Sequence, residues 1–478
     1  MTDTRSTIEL KTKRTGDRLF EPVDIASLVY FRVVFGAILL WEVWRYFKNG
    51  WIRPGWIEPV INFKYYGFSW VEAWPGVGMY VHFGGLGLLC VLILLGLWYR
   101  AAMILFFLGF TYIFLLEQAL YLNHFYFISL LSFLMIFVPA HHALSVDAHR
   151  SPELRSETTP AWSLWMLRAQ IGIVYFYGGL AKLNQDWLRG EPMRTWLARL
   201  TDYPVVGPLF GEEATVHFFA YGGVLFDLLI VPLLLWRRTR LPAFLLAASF
   251  HVMNAWLFRI GIFPWLMLAA TALFFEPDWP RRILQRAGIG RRRDTAISVT
   301  ASGDQSGEQR AHKQPSPSRR RTTLALAGGY LAIQLLVPLR HHLYPGDVGW
   351  TGEGDRFAWR MKLNKKTADA VFRLTDPRTN ESWIVRPTDH LKSWQATKMS
   401  VRPDMILQFS HYLADLEQAT GRKEVQVRAL AKVSLNDHAP RSLIDHWVDL
   451  AAERRSLAPA YWVLSRQGTR RPRLVGAP

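Results

Sequence analysis

The chain has 478 residues, half of them hydrophobic and 14% aromatic, with 21 tryptophans, 20% charged residues and a net charge of +18. Its apolar runs approach the ~20 residues that cross a bilayer, and tryptophan and tyrosine favour bilayer interfaces, so an ordinary soluble protein is excluded. The single cysteine, Cys90, excludes an intrachain disulfide, a cysteine-based zinc site, an iron–sulfur cluster and thiol-pair catalysis.

The excess positive charge is local. Residues 281–321 hold eleven Lys and Arg against three acids, in a Ser-, Gly- and Pro-containing stretch typical of a disordered linker. Basic residues beside membrane helices mark cytoplasmic loops and attract anionic headgroups. No aromatic–basic recognition module accompanies them, so the bilayer is the expected partner and nucleic acid is not.

Residues 1–20 form a polar tail with no cleavable signal ahead of the first apolar stretch, so the first helix is expected to direct its own insertion. Apolar segments predict helices over 25–47, 79–99, 101–117, 125–139, 162–181, 216–236, 241–257, 260–275 and 323–339. The expected fold is a membrane all-α helical bundle of about eight to nine transmembrane helices. Residues 21–279 and a last helix at 323–340 make up the bundle, and 280–322 form a basic, disordered cytoplasmic linker. Basic residues recur in every second loop, on the side of the N-terminal tail: Lys11, Lys13, Arg14 and Arg18, then Arg100, then Arg150 and Arg155, then Arg237, Arg238 and Arg240. By the positive-inside rule these loops are cytoplasmic, and residues 341–478 lie outside.

Residues 341–478 read as a soluble, strand-rich α+β domain. Phe357, Trp359, Met361 and Leu363 alternate as in a strand, and so do Val425, Val427, Ala429, Ala431, Val433 and Leu435. Between them Met405, Ile406, Phe409, Tyr412, Leu413 and Leu416 follow helical spacing, with Pro403 at its start and Gly421 past its end.

The most informative residue is Lys182, at the end of the apolar run that begins near Trp162. A lysine there either snorkels to water as an anchor or, desolvated by neighbours such as Tyr175, Phe176, Tyr177 and Leu180, offers a neutral amine as a base. Topology brings Asn123, His124, His251 and Asn254 to the same outer side. Taken singly, each histidine is more often a structural group, and His251 with Asn254 is by default an interhelical polar contact. Gly178 and Gly179 admit either a neighbouring helix or a flat ligand. Haem would need axial histidines on facing helices, and His124 and His251 both sit near helix ends; neither haem nor a metal is expected. Asp227 is the lone acid well inside a span, so no ion-pumping ladder is present.

Six segments, in order, resemble the vitamin K-dependent gamma-glutamyl carboxylases, of the bacterial type. They are LNHFYF (122–127), VYFYGGLAKLNQDWLRG (174–190), HVMNAWLFRIGIFPW (251–265), RHHLYPGDVGWTGEGDRFAWRMKL (340–363), RPDMILQF (402–409) and VSLNDHAPRSLIDHWVDL (433–450). The membrane part is similar to the wider group of horizontally transferred transmembrane domain proteins. The resemblance implies a lyase and epoxidase of a bacterial inner membrane. Such an enzyme couples oxidation of vitamin K hydroquinone (menaquinol-type) by O2 to removal of a glutamate γ-proton and addition of CO2. A glutamate-containing peptide or protein is then the substrate and a reduced naphthoquinone the co-substrate. Lys182 falls on the lysine that deprotonates the quinol and His124 on the histidine that assists it. Asn123 and Tyr175 support them, His251 and Asn254 contact the quinone, and Trp350, Arg356 and Trp359 contact the glutamate substrate. Three departures stand out: Ala181 replaces a family lysine, Asp355 replaces a tyrosine near the glutamate site, and the animal disulfide cannot form. The alternatives are a quinol epoxidase without carboxylation and a non-enzymatic membrane lipid- or quinone-binding protein.

Overall fold

A computed structural model describes residues 15–258, 260–289 and 316–472. Most of the basic linker and of the N-terminal tail lies outside the described residues. The helices are α1 (Ala26–Lys48), α2 (Gly78–Leu95), α3 (Tyr99–Leu116), α4 (Asn123–Phe137), α5 (Ala161–Lys182), α6 (Glu213–Leu235), α7 (Arg240–Phe258), α8 (Phe263–Thr271) and α9 (Pro317–Leu336). Among the described residues, six helical segments are long and apolar enough to cross a membrane: α1, α2, α3, α6, α7 and Pro317–Leu343. Asn123–Phe137 and Phe263–Phe274 are shorter apolar helices. Helix α5 is long but carries Arg168, Gln170 and Lys182. It needs less apolarity because protein surrounds it: fourteen of its residues are buried.

The expected helix over 125–139 begins two residues earlier, so Asn123 and His124 form its first turn. The last helix starts at Pro317 rather than at 323, capped by the Ser316 hydroxyl, and so takes up the end of the expected linker. The linker's first residues are also helical, in Trp279–Arg286.

A two-stranded ribbon joins β1 (Pro22–Asp24) to β2 (Thr158–Pro160), antiparallel, and ties the entries of α1 and α5 together. The C-terminal part holds a four-stranded antiparallel sheet in the order β4-β3-β5-β6. Its strands are β3 (Lys366–Thr375), β4 (Ser382–Val385), β5 (Gln426–Leu435) and β6 (Arg441–Ser442). Strand β5 keeps the alternation read from sequence: Val427, Ala429, Ala431, Val433 and Leu435 are buried and face helix Pro403–Ala419.

Residues 357–363 do not form the expected strand. Phe357, Trp359 and Lys362 have φ of 64°, 55° and 50°, which breaks any ladder, and β3 starts only at Lys366. The alternation has another cause: Phe357, Trp359 and Met361 insert into the helical bundle. Trp359 is fully buried and stacks on Tyr126 at 5.0 Å, while Phe357 packs edge-on against Tyr121 at 5.4 Å. Phe63 and Ala119, from the bundle's loops, enter the core of the sheet domain in return. Glu117 sits in this junction, accepting from Ala119 N at 2.9 Å and from Gln395 Nε2 at 2.8 Å.

Candidate functional site

Lys182 closes α5, and its side chain runs back along the helix, as helical side chains do. Its Nζ donates to the Gly178 carbonyl at 3.3 Å and to the Asp227 carboxylate of α6. Lys182 is 8% exposed and Asp227 6%, so the amine is turned inward rather than out to water. The Trp187 ring lies 5.6 Å from Nζ, held by a bond from its indole N–H to the Ala220 carbonyl at 2.8 Å. Two glycines bring α6 this close. A Cβ on Gly178 would meet Asp227 Oδ2 at 3.1 Å, and one on Gly179 would meet the Leu228 side chain at 2.8 Å. Gly178 and Gly179 thus serve close packing of α5 on α6.

Lys182 lines a cavity of about 280 Å³ together with Asn123, His124, Tyr175, His251 and Asn254. The six residues that sequence singled out in the bundle thus meet in one space. His251 Nε2 shares a hydrogen bond of 2.7 Å with the Tyr175 hydroxyl, which contacts Thr271 Oγ1 at 3.0 Å; Thr271 donates to the Met267 carbonyl at 2.7 Å. This chain fixes the ring of His251 across α5, α7 and α8. Asn254 bonds its own helix, Nδ2 to the Phe250 carbonyl at 2.8 Å. His124 faces the cavity and packs on Phe263, ring centroids 6.0 Å apart. Asn123 accepts from the Tyr121 hydroxyl at 2.9 Å and donates to the Arg360 carbonyl at 3.3 Å. Tyr121 also accepts from Phe357 N at 2.7 Å. These bonds seat the irregular segment, and Met361 and Lys362 become the cavity's cover.

The three residues expected to contact glutamate are placed differently. Trp350 is 2% exposed and donates its indole N–H to the Leu464 carbonyl at 2.9 Å. Trp359 is packed in the bundle as described. Arg356 pairs with Asp404 at 2.7 Å and lines a second cavity, of about 530 Å³, between bundle loops and the sheet domain. Beside it Asp355 pairs with Arg402 at 2.6 Å. Burial alone would raise the Asp355 carboxyl, but Arg402 and Arg356 together hold it below the usual carboxylate range. Desolvation, with Arg402 nearby, pushes the Lys366 amine down to about 7; its Nζ donates to the Trp350 carbonyl at 2.5 Å.

Asp227, Trp187, Thr271, Met361 and Lys362 were not among the residues assigned to the site from sequence. Only Asp227 had carried a signal, as the lone acid within a span. Among the described residues, no group of three or more His, Cys, Asp or Glu is placed to hold a metal ion.

The cavity's chemistry is that of a slot for a largely apolar ring with a few polar edges. It is enclosed by Val174, Phe219, Phe250, Phe258 and Met267, with hydrogen-bonding groups at Lys182, His124 and Asn254. Its volume is near the lower end of ligand pockets, ~300–1,000 Å³. A quinol head group fits that donor set. Comparison with known families points the same way. Residues 20–279, more than half of the chain, match the HTTM domain. Residues 319–469 match the lumenal domain of the vitamin K-dependent gamma-carboxylase. No solved structure matches the chain. The HTTM match and the apolar helices together indicate an integral membrane protein. With both parts matched in the order that the structure joins them, the chain belongs to the vitamin K-dependent gamma-glutamyl carboxylase family.

Proposed function

We propose that this protein is a reduced-vitamin-K-dependent carboxylase of glutamate side chains, seated in a bacterial inner membrane with its sheet domain on the outer side. The observation that carries this reading is the single cavity in which Lys182, His124, Asn123, Tyr175, His251 and Asn254 converge under Met361 and Lys362 of the C-terminal part. Reduced vitamin K, when bound, would supply the O2-dependent chemistry that removes the glutamate γ-proton before CO2 adds.

The chain's own groups have defined tasks. Lys182 Nζ receives the proton of a quinol hydroxyl. His124 lines the same cavity as a second polar edge, and Asn123 fixes the first turn of α4 against the Arg360 carbonyl. His251, held by Tyr175, and Asn254 orient the ring. The apolar walls exclude water, which would otherwise consume a strong base. Arg356 supports the glutamate-docking side from the wall of the larger cavity, while Trp350 and Trp359 are buried and do not line it.

The test is a paired assay of purified protein in lipid nanodiscs with reduced menaquinone, O2 and labelled bicarbonate. Epoxide formation and label incorporation into a glutamate peptide are both expected. Lys182→Ala is expected to lower both by ~10²–10⁴-fold; unchanged epoxide formation in that variant would remove Lys182 from the role of base. A second reading, quinol epoxidation without carboxylation, draws on Asp355, which is engaged by Arg402 where the family has a tyrosine. Epoxide without incorporated label would favour it.

A further inference from the structure

Resting on that functional reading, we propose that Asp227 is the positioning residue for Lys182 and the terminal acceptor of the quinol proton. The starting observation is that the amine is not alone. Its Nζ meets Asp227 Oδ2, and Gly178 and Gly179 make room for that approach. Stability does not explain the arrangement, because a buried ion pair can often be replaced by apolar residues without loss. Both partners line the cavity, so the pair is open to whatever that cavity binds.

A carboxylate in contact with the amine changes the proton accounting. With one proton between them, the two groups attract as ammonium and carboxylate. To take another, the lysine must pass one on. One N–H bond of Lys182 breaks as an O–H bond forms on Asp227 Oδ2. The quinol O–H bond breaks as a new N–H bond forms on Lys182. No electron moves; the negative charge leaves the aspartate and appears on the ring oxygen, where the ammonium faces it. Among the described residues, the other titratable groups lining the cavity are His124 from α4, Tyr175 from α5, His251 from α7 and Lys362 from the covering segment. Tyr175 and His251 are engaged with each other, so neither is poised to take Lys182's proton. His124 and Lys362 have no bond to Lys182 among the described residues.

The decisive measurement is infrared difference spectroscopy on the full chain in nanodiscs, adding reduced menaquinone without O2 so that no turnover occurs. A protonated-carboxyl C=O band is expected on quinol binding, absent in Asp227→Asn and in Lys182→Ala. In the aerobic assay Asp227→Asn is expected to lose ~10²-fold or more of epoxide formation, and Asp227→Glu to remain within ~10-fold of the parent. Quinol binding without the carboxyl band overturns the inference. So does epoxide formation by Asp227→Asn at the parent rate, because the amine would then not need the carboxylate. If Asp227→Asn fails to fold, the parent's spectrum and Asp227→Glu still decide. A parent protein that binds no quinol overturns the functional reading, and this inference with it.

Discussion

At the scale of single residues, the polar groups of the cavity are held by specific partners. Tyr175 is the hinge of one such chain, since its hydroxyl touches both His251 and Thr271. Tyr175→Phe keeps the ring and removes the bridge. A buried partner left unsatisfied costs ~1–3 kcal/mol, and the His251 ring loses its fixed orientation. The expected result is a several-fold rise in KM for reduced menaquinone with a smaller change in kcat, read by steady-state epoxide formation. Lys182 could be found from sequence because a charge that ends an apolar run has few explanations. Its pairing with Asp227 could not, since the two are 45 positions apart and the register between α5 and α6 is set by packing.

At the scale of elements, α5 and α6 cross closely because two successive glycines leave space. Gly179→Ala places a Cβ 2.8 Å from the Leu228 side chain and 3.1 Å from Asp227 Cβ. Overpacking of this kind costs ~1–3 kcal/mol, so a lower Tm is expected, together with lost epoxidation as Asp227 is displaced from Lys182. Strand β3 provides a test by pH. The Lys366 amine lies at about 7 in the folded chain against an ordinary 10.5. Between these values the unfolded chain binds more protons, so this residue's contribution makes stability rise with pH from ~7 to ~10.5. In Lys366→Gln that contribution is expected to vanish, and Tm against pH in this window should be flatter than in the parent. A similar alternation of apolar residues gave strand β5 but not 357–363. Pattern alone does not distinguish a sheet from aromatic side chains wedged into a bundle; the left-handed residues at 357, 359 and 362 do.

At the scale of the whole molecule, the C-terminal part and the bundle share cores and polar clasps. Asp186, just past Lys182, accepts from Asn436 Nδ2 at 3.0 Å and Arg466 Nη1 at 3.5 Å. Thr195 donates to Asp437 at 2.7 Å. Asp186→Ala should therefore loosen the sheet domain over the site. Faster amide exchange around 185–190 and 436–438 is expected by hydrogen-exchange mass spectrometry, with peptide carboxylation falling more than epoxidation. Equal exchange in the variant and the parent would show that the buried aromatic insertions carry the coupling alone.

By itself the sequence indicated the helices, most of their boundaries within a few residues, the sheet strand β5 and the helix after Pro403, and it pointed to a candidate base with histidine and amide neighbours. Those follow from local physics: apolar length, periodicity, capping and the cost of a charge in an apolar run. The tertiary structure alone decided that Lys182 turns inward to Asp227, that Tyr175 bridges His251 to Thr271, and that residues 357–363 roof the cavity instead of extending the sheet. Each of these depends on how far one helix slides along another and on which aromatic fills which gap. Such choices are made by close packing between residues far apart in the chain, which no local pattern records.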